Sequence, residues 1–334
     1  MSPVTHTKLT GAAIVANLIG QILIIGTGGA VRLTGSGLGC STWPQCEPGQ
    51  FAPVFHEAAT YHPFVEFGNR TMSGVLVAIS AAVVLLVFTQ ERAGVTPVRD
   101  RGFRRLALVP LIGVLVQAVV GGITVLIELH PVIVGSHFLL SAALVWVSTV
   151  LLLRWREGDG APVSVVAPAV RVLGRVLAVL AGLVVVLGVV VTGAGPHSGD
   201  DEVGYRFAVD PLLVTRLHSG TVWVFVSVLA LLLVALYRAR PQADLPDGAA
   251  ALVTARRRGW VLVAVTALQG GIGYYQYFNG LPELAVGMHL VGSALLIVAT
   301  TVAVFGLRVR SAHPGGVGGP EPAQAGGAGR LQGQ

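Results

Sequence analysis

The sequence predicts an all-α integral membrane protein. Eight transmembrane helices form two pseudo-symmetric four-helix bundles, and both termini lie on the inner side. Three observations predict it. First, the 334 residues are 53% hydrophobic and only 11% charged, with a mean hydropathy of +0.75; a soluble chain of that length could not hide so much apolar surface. Second, one segment of the chain occurs twice. Third, the basic residues collect in alternate connections.

A helix needs about 20 apolar residues to cross a bilayer. Eight runs approach this: residues 11–31, 67–88, 106–127, 131–153, 176–193, 212–237, 260–278 and 284–307. The first follows a short polar segment and continues for a full span, so it reads as a membrane helix and not as a cleavable signal. An even number of spans puts both termini on one side. With the N-terminus inside, the inner segments carry Lys8; Arg92, Arg99, Arg101, Arg104 and Arg105; Arg154, Arg156, Arg171 and Arg175; Arg238, Arg240, Arg256, Arg257 and Arg258; and Arg308, Arg310 and Arg330. That is 18 of the 22 basic residues; only Arg32, Arg70, Arg206 and Arg216 fall outside. The positive-inside rule then gives N-in, C-in, and the acidic outer run Asp200, Asp201 and Glu202 agrees with it. The pI of 9.9 therefore reflects topology. Membrane lipid surrounds the chain, and nucleic acid is not expected as a partner. Residues 311–334 are rich in Gly, Pro and Ala, which reads as a disordered inner tail; the linker at 241–248 reads the same way.

The repeat is V-G-x-H-x-x-x-S-A-x-L, found once around His137 and Ser141 and again around His289 and Ser293. On a helix, that spacing stacks His and Ser one turn apart on one face. The pairing extends further. Thr27-Gly28 matches Thr192-Gly193, Gly121-Gly122-Ile123 matches Gly270-Gly271-Ile272, and Asn69-Arg70 falls opposite Arg216-Leu217-His218. Four spans per half make this a parallel repeat, with its axis along the membrane normal. The division is residues 1–155, 156–310 and the tail at 311–334.

An ionisable group inside a span is costly and is by default a functional feature. His137, His218 and His289 all fall in the outer portions of their helices, as do Glu66 and Asn69. Imidazoles on facing helices at matching depth are how a bundle ligates haem iron; the bland alternative is histidines bonded to backbone or Ser hydroxyls. The glycines of residues 26–39 and Gly121-Gly122 suit either close helix packing or approach to a flat macrocycle. Arg32, Arg70 and Arg216, the external arginines at helix ends, are either snorkelling anchors or forks for carboxylates such as haem propionates. Cys40 and Cys46 share the first outer loop, an oxidising location, so a disulfide is expected; a redox-active pair is the sharper alternative. A transporter of parallel repeats would place helix breakers at mid-membrane, whereas most of the Gly and Pro interruptions here lie nearer the outer ends.

The run from Gly29 to Cys46 (G-A-V-R-L-T-G-S-G-L-G-C-S-T-W-P-Q-C) resembles the first outer loop of haem A synthases. Glu66-Phe67-Gly68-Asn69-Arg70, Thr192-Gly193-Ala194-Gly195-Pro196-His197, Arg216-Leu217-His218 and the two V-G-x-H segments resemble that family as well. The likeness reaches to about Arg310. It implies an enzyme that oxidises the C8 methyl group of haem O to a formyl group by successive hydroxylations. It implies a haem b cofactor held in the second half by His218 and His289, with Arg216 beside it. The first half is then the site of the substrate haem O, with His137, Asn69, Arg70 and Arg32 around it and Glu66 as the catalytic carboxylate. Expected surroundings are the plasma membrane with the haem sites toward its outer face, a haem O synthase as the pathway partner, and an electron donor that the sequence does not name.

The chain departs from the family pattern at Asn69, where a histidine is usual. Asparagine is a poor iron ligand, so His137 is expected to hold the substrate haem alone, leaving its other face open; His56 and His62 in the nearby loop are the alternative ligands, although a loop residue would need to reach into the bundle. A second outer cysteine pair found in some members is missing. The rival reading, a non-enzymatic diheme b-type cytochrome for electron transfer, calls for two equivalent bis-histidine sites, which Asn69 opposes.

Overall fold

The computed structural model describes residues 1–54, 60–200, 202–241 and 247–310. The tail from 311 and most of the 241–248 linker lie outside the described residues, as do His56 and Asp201. Eight helices follow in order: α1 (Pro3–Leu33), α2 (His62–Phe88), α3 (Arg101–Leu126), α4 (Pro131–Glu157), α5 (Pro168–Ala194), α6 (Pro211–Arg238), α7 (Gly248–Phe278) and α8 (Glu283–Phe305). Proline opens five of them, at Pro3, Pro63, Pro131, Pro168 and Pro211. In the first turn its missing N–H costs nothing and its fixed φ suits the helix. Ser2, Asp100 and Asp210 cap α1, α3 and α6, each side chain accepting a first-turn backbone N–H.

Seven of the eight helices are long and apolar enough to cross a membrane. The exception is α7. It is 31 residues long, but Gln269, Gly270, Gly271, Gly273 and three tyrosines dilute its second half. It also begins well before the apolar run at 260, because Ala, Leu and Arg continue a helix as readily as membrane residues do. Hydropathy measures bilayer thickness and not helix length.

Helix α1 packs on α2, α2 on α3, α3 on α4 and α4 back on α1; α5 to α8 close in the same order. Contacts of α1 with α8, α4 with α8 and α4 with α5 join the two sets. Leu18, Ile25, Val145 and Ala294 form the buried seam between them. At that seam Gly29 meets Leu290 so closely that an added methyl would lie 3.1 Å from its Cδ1, the close packing that small residues permit in membranes. The larger apolar core lies in the second set, around Leu177, Phe225, Leu232, Leu262 and Leu296. In the first set a buried polar chain crosses three helices. Ser80 Oγ donates to Asn17 Oδ1 and Asn17 Nδ2 donates to Ser148 Oγ, both at 2.9 Å.

Two three-residue strands, too short for any sequence pattern, add a further tie. β1 (Pro162–Ser164) pairs antiparallel with β2 (Arg308–Arg310), Val163 opposite Val309. The strand pair fastens the chain after α8 to the α4–α5 connection. Around it Arg99 meets Asp159 at 3.1 Å, Arg154 meets Asp100 at 3.3 Å, and Arg308 and Arg310 share Glu157 at 3.6 and 3.5 Å. These arginines, expected only as topology markers, also staple one end of the molecule.

Candidate functional site

Each of the three intramembrane histidines lies against a glycine on the preceding helix. A methyl added to Gly121 would stand 3.3 Å from Cε1 of His137; for Gly188 and His218 the distance is 3.3 Å, and for Gly273 and His289 it is 3.4 Å. The pairs fall on α3/α4, α5/α6 and α7/α8. The fourth pair, α1/α2, sets Gly28 against Asn69, whose Oδ1 is 3.9 Å from the same construction point. Bare backbone at these positions lets a flat ring lie on its neighbour helix.

His218 and His289 face each other with ring centroids 6.5 Å apart and planes at 75°. The Nδ1 of His218 is 3.0 Å from the carbonyl of Val184. A carbonyl only accepts, so Nδ1 carries the proton and Nε2 is left with its lone pair. A metal–imidazole bond of about 2 Å on each side, plus the ring radius, asks for centroids roughly 6 Å apart. The pair therefore fits one iron between two axial imidazoles. Among the described residues no group of three or more His, Cys, Asp or Glu side chains gathers to hold a bare metal ion. Two protein ligands suffice when a macrocycle supplies the rest.

The first set differs. His137, like His289, has a buried Nδ1 with no hydrogen-bond partner, but it faces no second histidine. Opposite the backing glycine of the other first-set pair stands Asn69, whose Oδ1 is 2.7 Å from Thr27 Oγ1; that hydroxyl is also 3.2 Å from the carbonyl of Ile24. Ile24 precedes Gly28 by one turn, as Val184 precedes Gly188. The Thr27 hydroxyl thus lies between Asn69 and the carbonyl corresponding to the one that orients His218, and Asn69 stands where a second imidazole would be.

A single cavity of about 1400 Å³ contains both sets of residues. Asn69, Gln117 and His137 line it from one side, and His218, Gln269 and His289 from the other, with Arg32 and Arg216 also in its wall. Ligand pockets commonly measure about 300–1,000 Å³, so the space exceeds what one ligand needs. Arg32 crosses the seam to donate from a terminal nitrogen to the Thr192 carbonyl at 3.0 Å, and its Nε is buried with no partner.

Glu66 and Arg70 do not line this cavity. Glu66 is 4% exposed. Its Oε2 accepts the Cys40 backbone N–H at 2.7 Å, and its Oε1 accepts from Arg70 Nε at 3.1 Å and from a second Arg70 nitrogen. Arg70 also donates to the Gln45 carbonyl at 3.1 Å. Both side chains are thus committed to the loop closed by the Cys40–Cys46 disulfide. Within that loop Trp43 lies on Gly122, next to the glycine that backs His137. His62 Nδ1 is bound to Ser36 Oγ at 2.9 Å.

The family model described as cytochrome oxidase assembly protein matches residues 12–198, more than half of the 334. The chain belongs to that family. The matched segment includes Asn69 and His137 and ends before His218 and His289. Curated relatives named heme A synthase include those of Bacillus pumilus (31% identical over 143 residues, 42% of this chain and 42% of the relative) and Shouchella clausii (30% over 166, 49% and 51%). A third, from Symbiobacterium thermophilum, is 31% identical over 196 residues, 56% of this chain and 60% of the relative. The chain spans about half the length of the curated relatives it matches.

In this family member the structure adds residues that the sequence reading passed over. Gln117 Nε2 donates to the His137 carbonyl at 2.9 Å and to Ser141 Oγ at 2.6 Å; Gln269 Nε2 donates to the His289 carbonyl at 3.1 Å. The two glutamines are 152 residues apart, as are the two histidines. That shared interval was the available signal. Val184, Gly188 and Gly273 were also passed over, since a valine carbonyl and lone glycines leave no trace in a membrane run.

Proposed function

We propose that the chain is a haem A synthase, an oxidoreductase that converts the C8 methyl group of haem O to a formyl group by successive hydroxylations. One observation carries this reading: a one-histidine site and a two-histidine site open into the same cavity. His218 and His289 would hold haem b as a closed, permanent site. His137 would hold the substrate haem O, with Asn69 across from it and no second imidazole. Bound haem supplies the redox chemistry. The chain's own residues bind, orient and enclose. Arg32 and Arg216 offer guanidinium groups to the propionate carboxylates. The disulfide loop, drawn down by Glu66 and Arg70, covers the α3 backbone beside His137, so Glu66 acts as a positioning residue for the substrate end.

The reading also takes all eight helices as spans, related by a parallel pseudo-two-fold repeat, in the plasma membrane with both termini inside and the haem sites toward the outer face. Residues 1–155 form the substrate half and 156–310 the haem b half. Haem O is delivered by a haem O synthase; each hydroxylation takes dioxygen as its oxidant, with the electrons that reduce it coming from a separate donor. The experiment is the haem inventory of protein purified from cells that make haem O. Haem b together with haem O or its hydroxylated and formyl derivatives is expected; haem b alone would contradict the substrate site.

A further inference from the structure

The one-histidine half holds a buried amide that its neighbours leave unsatisfied. Gln21 of α1 is 1% exposed, its Nε2 has no hydrogen-bond partner among the described residues, and it lines the cavity. A buried polar group left unpaired is costly, so one kept in a cavity wall points to a ligand. The wall on this side is otherwise apolar. Ile24, Leu76, Val114 and Leu144 also line the cavity and pack as one cluster, and Leu76 lies against Gly20, the residue before Gln21. One turn further along α1, Asn17 is already committed at both ends of its amide, to Ser80 and Ser148.

Gln21 precedes Gly28, the glycine opposite Asn69, by seven residues. That is two turns, about 10 Å along the axis and nearly the same face. Arg32 follows one turn beyond Gly28, and all three line the cavity. Along one line α1 therefore presents an amide, bare backbone and a guanidinium. The second half lacks the amide. Seven residues before Gly188, which backs His218, stands Ala181, buried in the apolar core.

The chemistry of the two haems matches this difference. Haem O carries a hydroxyethylfarnesyl group where haem b has a vinyl, and its hydroxyl sits on the carbon attached to the ring. That substituent lies across the ring from the propionates. With the propionates at Arg32 and the ring over Gly28, the hydroxyl edge points along α1 toward Gln21. A hydroxyl both donates and accepts, so either atom of the amide can meet it.

We propose that Gln21 is a specificity-determining residue for haem O, its amide hydrogen-bonding the hydroxyl of the hydroxyethylfarnesyl group. This rests on the reading of the His137 side as the substrate site. A site built to bond a hydroxyl rejects an analogue that lacks it, because the buried amide is then left unpaired. Haem b is thereby kept out of the substrate half.

The test is a binding cycle followed by absorption titration of purified protein that already carries haem b. Wild-type and Gln21→Leu chains are each titrated with haem O and with dehydrated haem O, which keeps the farnesyl chain but has lost the hydroxyl. Wild-type protein should bind haem O about tenfold more tightly than the dehydrated haem, and Gln21→Leu should bind the two alike. A merely structural role would weaken both haems equally and leave the preference in place. Equal binding of the two haems to wild-type protein, or an unchanged preference in Gln21→Leu, overturns the proposal. If Gln21→Leu loses haem b, Gln21→Met, of similar length, takes its place in the same cycle. Wild-type protein that binds no haem O at all would instead contradict the substrate site itself.

Discussion

Under the proposed reading of His137 as the holder of the substrate haem, replacing Asn69 with histidine should close the opposite face of that haem. The structure has kept the means to accept the ring. Gly28 presents bare backbone opposite position 69, as Gly188 does for His218, and Ile24 offers a carbonyl at the place where Val184 orients that histidine. The substitution removes the contact between Thr27 and Asn69, a loss of about 0.5–1.5 kcal/mol for one hydrogen bond. A fold-level effect of that size leaves the protein intact, so the change to look for is spectral. Wild-type protein loaded with haem O should show a five-coordinate, high-spin component besides the low-spin haem b. Asn69→His should convert that component to a six-coordinate low-spin form and block binding of carbon monoxide to the reduced site. Absorption and electron paramagnetic resonance report both. A wild-type substrate site already low-spin, or an Asn69→His site that stays high-spin, would refute the reasoning.

Three further predictions follow from the same geometry. His218→Ala or His289→Ala should each abolish the permanent low-spin haem, whereas His137→Ala should spare it; pyridine haemochrome content per chain is the measure. Gly273→Leu puts a side chain where a methyl alone would stand 3.4 Å from His289 Cε1, so haem b content should fall as steeply as in His289→Ala while the helix content seen by circular dichroism is kept. Glu66→Gln removes the charge that pairs with Arg70 and weakens the Cys40 tie, worth about 1.5–3 kcal/mol for hydrogen bonds to a charged group. Low-spin haem should remain, oxidation should drop, and the Cys40 amide should lose hydrogen-exchange protection. Lost activity with full protection would move the carboxylate to the reacting edge.

The spans were legible because apolar length is a one-dimensional property, and the histidines because an ionisable residue inside such a run stands out. The difference between the two sets was legible too, through Asn69, which stands against Gly28 as His218 stands against Gly188. The neighbours of each side chain were not. Glu66 sits four residues before Arg70, which a sequence reader sees as a pair on one face, but only the folded loop reveals that both turn toward Cys40 and Gln45 and away from the cavity. Gln117 and Gln269 read as tolerated polar residues in membrane runs until their contacts with the histidine carbonyls appear. At α7 the residues that lower its hydropathy include Gly270, Gly271, Gly273, Tyr274 and Tyr277, which form part of the cavity wall. The β1–β2 pair left no signal, since three residues are too few to show a period. The single cavity joining both halves depends on α1 meeting α8 and α4 meeting α5, which no repeat within a half can announce.

The most direct test of the account is chromatography of haems extracted from membranes of cells that supply haem O and carry either the wild-type chain or His137→Ala. The account predicts haem A or its hydroxylated precursor with the wild-type chain and haem O alone with His137→Ala. Unmodified haem O with the wild-type chain, or equal conversion by both, would contradict it.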